Sequence, residues 1–290
     1  MRTILLFGST GFIGEAIATY LKRKKNIHLI TPTRTECNLL SYKSVKPYLD
    51  TINPDYVINA AYIEVNSNVK PTKKYLSDNL KISTNILKGC KKQKNIREII
   101  YFGSGLEYGD SDEPIDEKHS TNPKNYYAKT KAIQSETSLR LAKKLRLPII
   151  LIKPFNLYGP YDTKSVFYYV IKAILEKKEF SITKGEQMRD ILYIEDLVRL
   201  IEKIINKGET IRSGEVINVG FGKGVLLKDV VNEIIKLTNY KGIMGFRQYR
   251  PNEYFSQVAN IDKAKYLFDW EPKTSLEEGL KKTIRWIKQG

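Results

Sequence analysis

The segment FGSTGFIG, residues 7–14, sets Gly8, Gly11 and Gly14 directly after the apolar run Ile4–Phe7. Behind it Ile13, Ile17, Tyr20 and Leu21 recur at helical spacing. Glycines that join a strand to a helix let the chain turn tightly, let its backbone approach a pyrophosphate, and let helix and sheet pack closely. A strand-to-helix turn without a ligand needs the same tight turn. Loose glycine patterns are common; the position between a first strand and a first helix gives this one its weight.

The same alternation continues along the chain. Apolar runs at HLITP (28–32), YVINAA (56–61), EIIYFGS (98–104) and PIILIKP (148–154) read as strands. Between them lie a helix carrying Ile82, Ile86, Leu87 and Cys90 and a long helix from Tyr127 to Lys144. Continuous apolar strands separated by helices indicate a parallel sheet covered on both faces. The expected fold is α/β: a Rossmann-like doubly wound sheet with a smaller C-terminal substrate-binding lobe. Residues 1–160 form the dinucleotide-binding domain, with 190–220 returning to it through the strand EVINVG (215–220). Residues 161–189 and 221–290, with helical segments near 165–178, 226–238 and 275–288, form the lobe; a further helix spans 194–206.

Composition narrows the class. The 290 residues are 41% apolar, enough for a sizeable core, and no window reaches the roughly 18–20 apolar residues of a membrane helix. The start MRTILLFGST reads as a strand rather than a signal, so no membrane partner and a cytoplasmic setting are expected. Cys37 and Cys90 show no metal spacing, and two histidines leave little for a metal site or a Ser-His-Asp triad. The net charge of +17 comes from lysine clusters spread along the chain without interleaved aromatics. That reads first as a solvated surface, then as a field attracting a polyanionic small ligand. No nucleic-acid partner is expected, because no module signature accompanies the charge.

The second strand bears on the cofactor. NAD sites offer an acid about 20 residues past the glycine loop. Here TPTRTEC places Arg34 in that neighbourhood, with Glu36 two residues later. A guanidinium binds a 2′-phosphate bidentately, so NADPH is expected in preference to NADH, with NAD as the alternative.

In NPKNYYAKTK (122–131), Tyr127 and Lys131 are four apart on one helix face, as any such pair would be. Ser104 ends a strand at the carboxyl edge, where the cofactor would lie. With the glycine loop, Ser104, Tyr127 and Lys131 in this order, the chain resembles the extended short-chain dehydrogenases/reductases, of the NAD-dependent epimerase/dehydratase type, over nearly its whole length. The resemblance implies that Tyr127 passes a proton to the substrate oxygen, Ser104 bonds that oxygen, and Lys131 also holds the nicotinamide ribose. A free tyrosine has a pKa near 10; an ammonium ~4 Å away at an effective dielectric of ~20 would lower it by up to ~3 pH units. The resemblance extends cofactor contacts to Thr10, Phe12, Ile13, Asn38, Leu39, Ala60, Ala61, Tyr62, Asn79 and Pro154, besides the three glycines and Arg34.

Dehydratases of this family carry an acid pair where this chain has Gly105 and Leu106, so dehydration is not expected. TPTRTECNLLSYKSV is similar to the GDP-fucose synthase family, but Leu106 and Tyr169 stand where that family has its epimerising Cys and His. ITKGEQMRDILYIEDL (182–197) and RPNEYFSQVANIDKAKYLFDW (250–270) are similar to 4-ketosugar reductases of the CDP-paratose synthase type. That likeness implies substrate contacts from Asn156, Arg189, Arg250 and Glu253, with Ser104 and Gly105. Arg189 would otherwise pair with Asp190 or Asp196. The expected activity is NADPH-dependent reduction of the C4 ketone of a nucleotide-activated 4-keto-6-deoxyhexose, by a homodimer. The alternatives are a nucleotide-sugar C4-epimerase with tightly bound NAD and a non-catalytic dinucleotide-sensing or RNA-binding protein.

Overall fold

The computed structural model describes residues 1–64, 72–207 and 212–289. The chain begins β1 (Arg2–Phe7), α1 (Phe12–Leu21), β2 (Ile27–Ile30), α2 (Tyr42–Ile52), β3 (Tyr56–Asn59), α3 (Lys73–Cys90). It continues through β4 (Glu98–Phe102), α4 (Tyr126–Leu145), β5 (Ile149–Pro154), β6 (Asn156–Tyr158), α5 (Val166–Leu175), β7 (Phe180–Ile182) and β8 (Met188–Tyr193). Then come α6 (Ile194–Lys207), β9 (Glu215–Val219), β10 (Gly224–Leu226), α7 (Leu227–Thr238), β11 (Met244–Phe246), β12 (Ser256–Gln257), α8 (Asp262–Phe268) and α9 (Leu276–Gln289).

Six parallel strands form the main sheet in the order β2-β1-β3-β4-β5-β9. The doubly wound α/β expectation holds. Alternate residues of each inner strand feed opposite cores, which is why these strands read as unbroken apolar runs. Ile4, Leu6, Ile58, Ile100 and Ile152 pack with α1, α6 and α8 on one face. Leu5, Phe7, Val57, Ile99 and Leu151 pack with α2, α3 and α4 on the other. Strand order reverses between β1 and β3, so a crevice opens there at the carboxyl edge.

A second set of short strands joins β6, β10 and β12 to β8, over a separate core with α5, α7 and α9. Asp190 in β8, fully buried, ties this set to the main sheet. Its carboxylate accepts from the backbone N–H of Phe221, Gly222 and Ala259. Burial outweighs those bonds and pushes its pKa up to about 6. Two helices, α2 and α8, have no counterpart in the sequence reading; α2 buries only Val45 and Leu49 and carries Pro47 inside. Among the described residues no helix is long and apolar enough to cross a membrane.

Candidate active site

At the β1–β3 crevice lies a cleft of about 650 Å³. Thr10, Gly11, Phe12 and Ile13 from the glycine loop, and Ala60, Ala61 and Tyr62 from the end of β3, form its inner wall. The glycines divide their tasks. Gly8 has φ +80°, and a Cβ there would meet Ala61 N at 2.5 Å. A Cβ on Gly14 would meet the Gly8 carbonyl oxygen at 2.0 Å, so that glycine lets α1 sit on the loop. Gly11 is different: a Cβ would find only Gly8 O, at an ordinary 3.6 Å, and its φ of −89° suits any residue. The protein itself does not need glycine at 11, whereas a ligand phosphate at the start of α1 would. The residues therefore fit a dinucleotide. Gly14→Ala is expected to lower Tm by about 3–10 °C through overpacking. Gly11→Ala should leave Tm within about 2 °C of wild type and weaken dinucleotide binding at least about tenfold, read by thermal shift and titration.

Asn125 caps α4, its side chain accepting from Ala128 N at 2.9 Å, and this sets Tyr127 and Lys131 one turn apart over the cleft. Tyr127 and Ser104 line the same cleft, and Ser104 Oγ accepts from Leu106 N at 3.2 Å. The structure thus brings Ser104, Tyr127 and Lys131 together, with Pro154 on the cleft floor. Lys131 Nζ donates to Phe102 O at 3.0 Å and sits 4.1 Å from the Tyr62 ring centroid. That ring meets Tyr127 edge-on, with centroids 5.5 Å apart.

The electrostatics differ from the sequence expectation. The spacing predicts a lowered pKa for Tyr127; its phenol is instead pushed above the ordinary value. Desolvation is the main cause, Glu64 adds to it, and Ser104 opposes it. The residue as a whole keeps 37% exposure at the cleft, so the phenol end, not the entire ring, is what the walls desolvate. The ammonium expected to stabilise a phenolate is turned to Phe102 O and Tyr62. Burial brings the Lys131 pKa down to about 8, while Glu107 and Glu64 resist the fall.

Other expected residues lie elsewhere. Arg34 stands exposed in the turn after β2, outside the cleft wall. Among the described residues no carboxylate pairs with it; Glu36 accepts instead from Thr33 N and Oγ1, each at 2.7 Å. Asn38 and Leu39 are not cleft residues here: Asn38 Oδ1 accepts from Leu40 N, and Leu39 O accepts from Asn85 Nδ2 at 2.9 Å. Asn79 is fully buried behind the wall, where its amide bonds Ile63 N and O and Tyr75 O, so it holds the 61–63 segment.

Among the expected substrate residues, Arg189 and Glu253 form a largely shielded ion pair at 2.9 Å, so Arg189 pairs with neither Asp190 nor Asp196. Asp196 is taken by Arg199 and by the backbone of Lys273 and Thr274. Arg250 is exposed in the turn whose carbonyl accepts from Glu253 N. Asn156 Nδ2 donates to Asp190 O at 3.2 Å. Gly105 has Phe155 where its Cβ would be, at 2.7 Å, which makes it a packing residue. None of these five lines the cleft.

Several cleft groups carried no sequence signal. Tyr161 to Ser165 form the outer lip, and Lys164 there pairs with Glu64 on the opposite side. Their spacing of 100 residues is invisible to local pattern reading. Glu107 and Lys153 lie buried beneath Ser104.

The chain is 30% identical to GDP-L-colitose synthase of Yersinia pseudotuberculosis, across 98% of this chain and 97% of that one. It is 26% identical to dTDP-D-glucose 4,6-dehydratase of Dictyostelium discoideum, across 99% and 82%. Its fold is similar to UDP-glucuronic acid 4-epimerase of Bacillus cereus, solved with UDP-glucuronic acid and NAD, at TM-score 0.88, 25% identity and 99% of both chains. The sequence model of the NAD dependent epimerase/dehydratase family matches residues 4–220, which span the main sheet from Ile4 onward and every cleft residue named above. The chain belongs to that family, within the extended short-chain dehydrogenases/reductases.

Proposed function

We propose that this chain is an NADPH-dependent reductase of the C4 ketone of a nucleotide-activated 4-keto-6-deoxyhexose. The observation that carries the reading is the meeting of Ser104, Tyr127 and Lys131 in one cleft with the glycine-loop residues Thr10 to Ile13. Reduction of a ketone consumes a proton at the nascent alkoxide, and the neutral phenol of Tyr127 can supply one. A C4-epimerase would use the same phenol as base in its oxidising half and as acid in its reducing half, so the cofactor preference argued from Arg34 separates the two readings. A reduced nicotinamide dinucleotide, held through its pyrophosphate by the glycine loop, would supply the hydride. Tyr127 would protonate the substrate oxygen, Ser104 would hold that oxygen by a second hydrogen bond, and Lys131 would hold the ribose.

Gly105 and Leu106 leave no acid pair for dehydration. Arg34, exposed and unopposed by Glu36, favours a 2′-phosphate and hence NADPH. Arg189, Arg250, Glu253 and Asn156 would meet the nucleotide diphosphate once it bridges the two sheets, with Arg189 exchanging Glu253 for phosphate oxygens. A homodimer and a cytoplasmic location belong to the same reading. The second reading is a C4-epimerase, which the likeness to the Bacillus cereus 4-epimerase favours.

A panel of nucleotide-linked 4-ketosugars, followed by NADPH absorbance, decides between them. One NADPH consumed per sugar reduced supports the reductase. Protein that purifies with NAD and interconverts C4 epimers without added reductant overturns it.

A further inference from the structure

Directly beneath Ser104 the chain buries two opposite charges that none of the roles above employs. Glu107, in the 3-10 turn Gly105–Glu107, is fully shielded from solvent, and Lys153 in β5 is 6% exposed. Their charged atoms are 3.1 Å apart. Glu107 Oε1 accepts from the Ser104 backbone N–H at 2.8 Å and from Ser135 Oγ, also at 2.8 Å. Ser135 is one helical turn beyond Lys131 on α4, so a single carboxylate joins the end of β4 to the helix that bears Tyr127 and Lys131. Lys153 Nζ lies 4.0 Å from the Tyr108 ring centroid, which closes the other side.

The backbone is shaped around this cluster. A Cβ on Gly103 would meet Glu107 Oε1 at 2.6 Å, Ser135 Oγ at 2.9 Å and Lys153 Cγ at 3.1 Å. Stability alone does not explain the pair, because well-packed apolar side chains of similar volume are commonly as stable as a buried ion pair or more so. A pair retained under the reacting groups has another use.

We propose that Glu107 and Lys153 are positioning residues of the active site: the paired carboxylate fixes Ser104 against α4, the helix that carries Tyr127 and Lys131. This rests on the reductase reading for its kinetic consequence, though not for its electrostatic one. The groups facing Lys131 are Phe102 O and the Tyr62 ring, with Glu107 and Glu64 as the charges that favour its ammonium form. Glu64 lies at the open lip and is paired with Lys164, so solvent screens it. Glu107 is sheltered and acts at lower dielectric. Lys153 offsets part of its charge, which sets the strength of the effect.

The test uses the charge-free double variant Glu107→Leu/Lys153→Met, which removes the acceptor of the Ser104 and Ser135 bonds, beside Glu107→Gln, whose amide oxygen still accepts from both. The first readout is the titration of the Lys131 ammonium by lysine-selective ¹³C NMR of the ligand-free chain, assigned with Lys131→Arg. The expected result is a midpoint about 8 in wild type and a downward displacement in Glu107→Gln, which removes a charge that favours the ammonium form. The double variant should show a smaller fall, since the opposing cation is removed with it. The second readout is turnover: kcat in the folded double variant falls about tenfold or more with KM within about twofold, and its alkaline limb moves to lower pH. Unchanged Lys131 midpoints in both variants, with wild-type kcat in the folded double variant, overturn the proposal. A wild type that reduces no ketosugar sinks the reductase reading alone, because the NMR titration still decides this one. If the double variant does not fold, Glu107→Gln decides by itself.

Discussion

Tyr127→Phe is expected to lower kcat by about 10²- to 10⁴-fold, the usual contribution of a positioned general acid, with dinucleotide affinity changed less than about threefold. The substitution removes one hydroxyl and leaves the ring, so its edge contact with Tyr62 survives and no cavity opens. With 37% of the residue exposed, stability should stay within ~1 kcal/mol of wild type. What disappears is the proton donor at the cleft rim beside Ser104. The pH profile gives a second view of the same site. Lys131 is protonated below about 8 and neutral above it, so wild-type turnover should decline as pH rises through that value. Steady-state kinetics of the purified variant read all of this. A Tyr127→Phe enzyme retaining more than about a tenth of wild-type kcat would remove Tyr127 from proton transfer. Intact biological activity without turnover would favour the non-catalytic dinucleotide-sensing alternative instead.

The sequence exposed the main sheet because its strands are buried on both faces, so Ile4–Phe7, Glu98–Phe102 and Ile149–Pro154 read as short apolar runs with no competing period. It exposed the glycine loop and the start of α4 because both are local: three glycines in eight residues, and Asn125 before a helical run. Helix α2 escaped because Val45 and Leu49 are its only buried positions and Pro47 interrupts the pattern with a residue that normally costs about 3 kcal/mol inside a helix. Apart from β8, the strands of the second set have two or three residues each, too short for a period to show. The site failed in a different way. That Tyr127 and Lys131 share a face follows from their spacing, yet the direction of the phenol pKa depends on where the ammonium points, and the carbonyl of Phe102 decides that from another strand. Asn79 shows the same limit: its side chain turns inward to brace residues 61–63.

Glu98→Gln is expected to stabilise the protein increasingly as pH rises from about 5 to about 8. Glu98 opens β4 at the edge of the sheet opposite the cleft and is 2% exposed. Its Oε1 accepts only a long bond from Ile99 N, at 3.3 Å, and desolvation pushes its pKa from 4.5 up to about 8. The folded state therefore holds this proton more tightly than the unfolded chain does. Below about pH 4.5 both states are protonated and the group is neutral to stability. As pH rises, the unfolded chain ionises first and gains free energy that the folded chain cannot match, so stability is lost up to about pH 8 and levels off above it. By linkage the full loss is up to about 5 kcal/mol. Glutamine keeps the carbonyl that Ile99 N–H donates to and has no proton to lose. Asp190, raised to about 6, makes wild-type stability fall over the lower part of the same range, so the difference between variant and wild type is what isolates Glu98. Denaturant unfolding at pH 5 and pH 8 should give nearly equal free energies for the two proteins at the lower pH, and an advantage for the variant of several kcal/mol at the higher. A difference that does not change with pH would mean that the Glu98 carboxylate reaches solvent in the folded state and titrates as an ordinary surface acid.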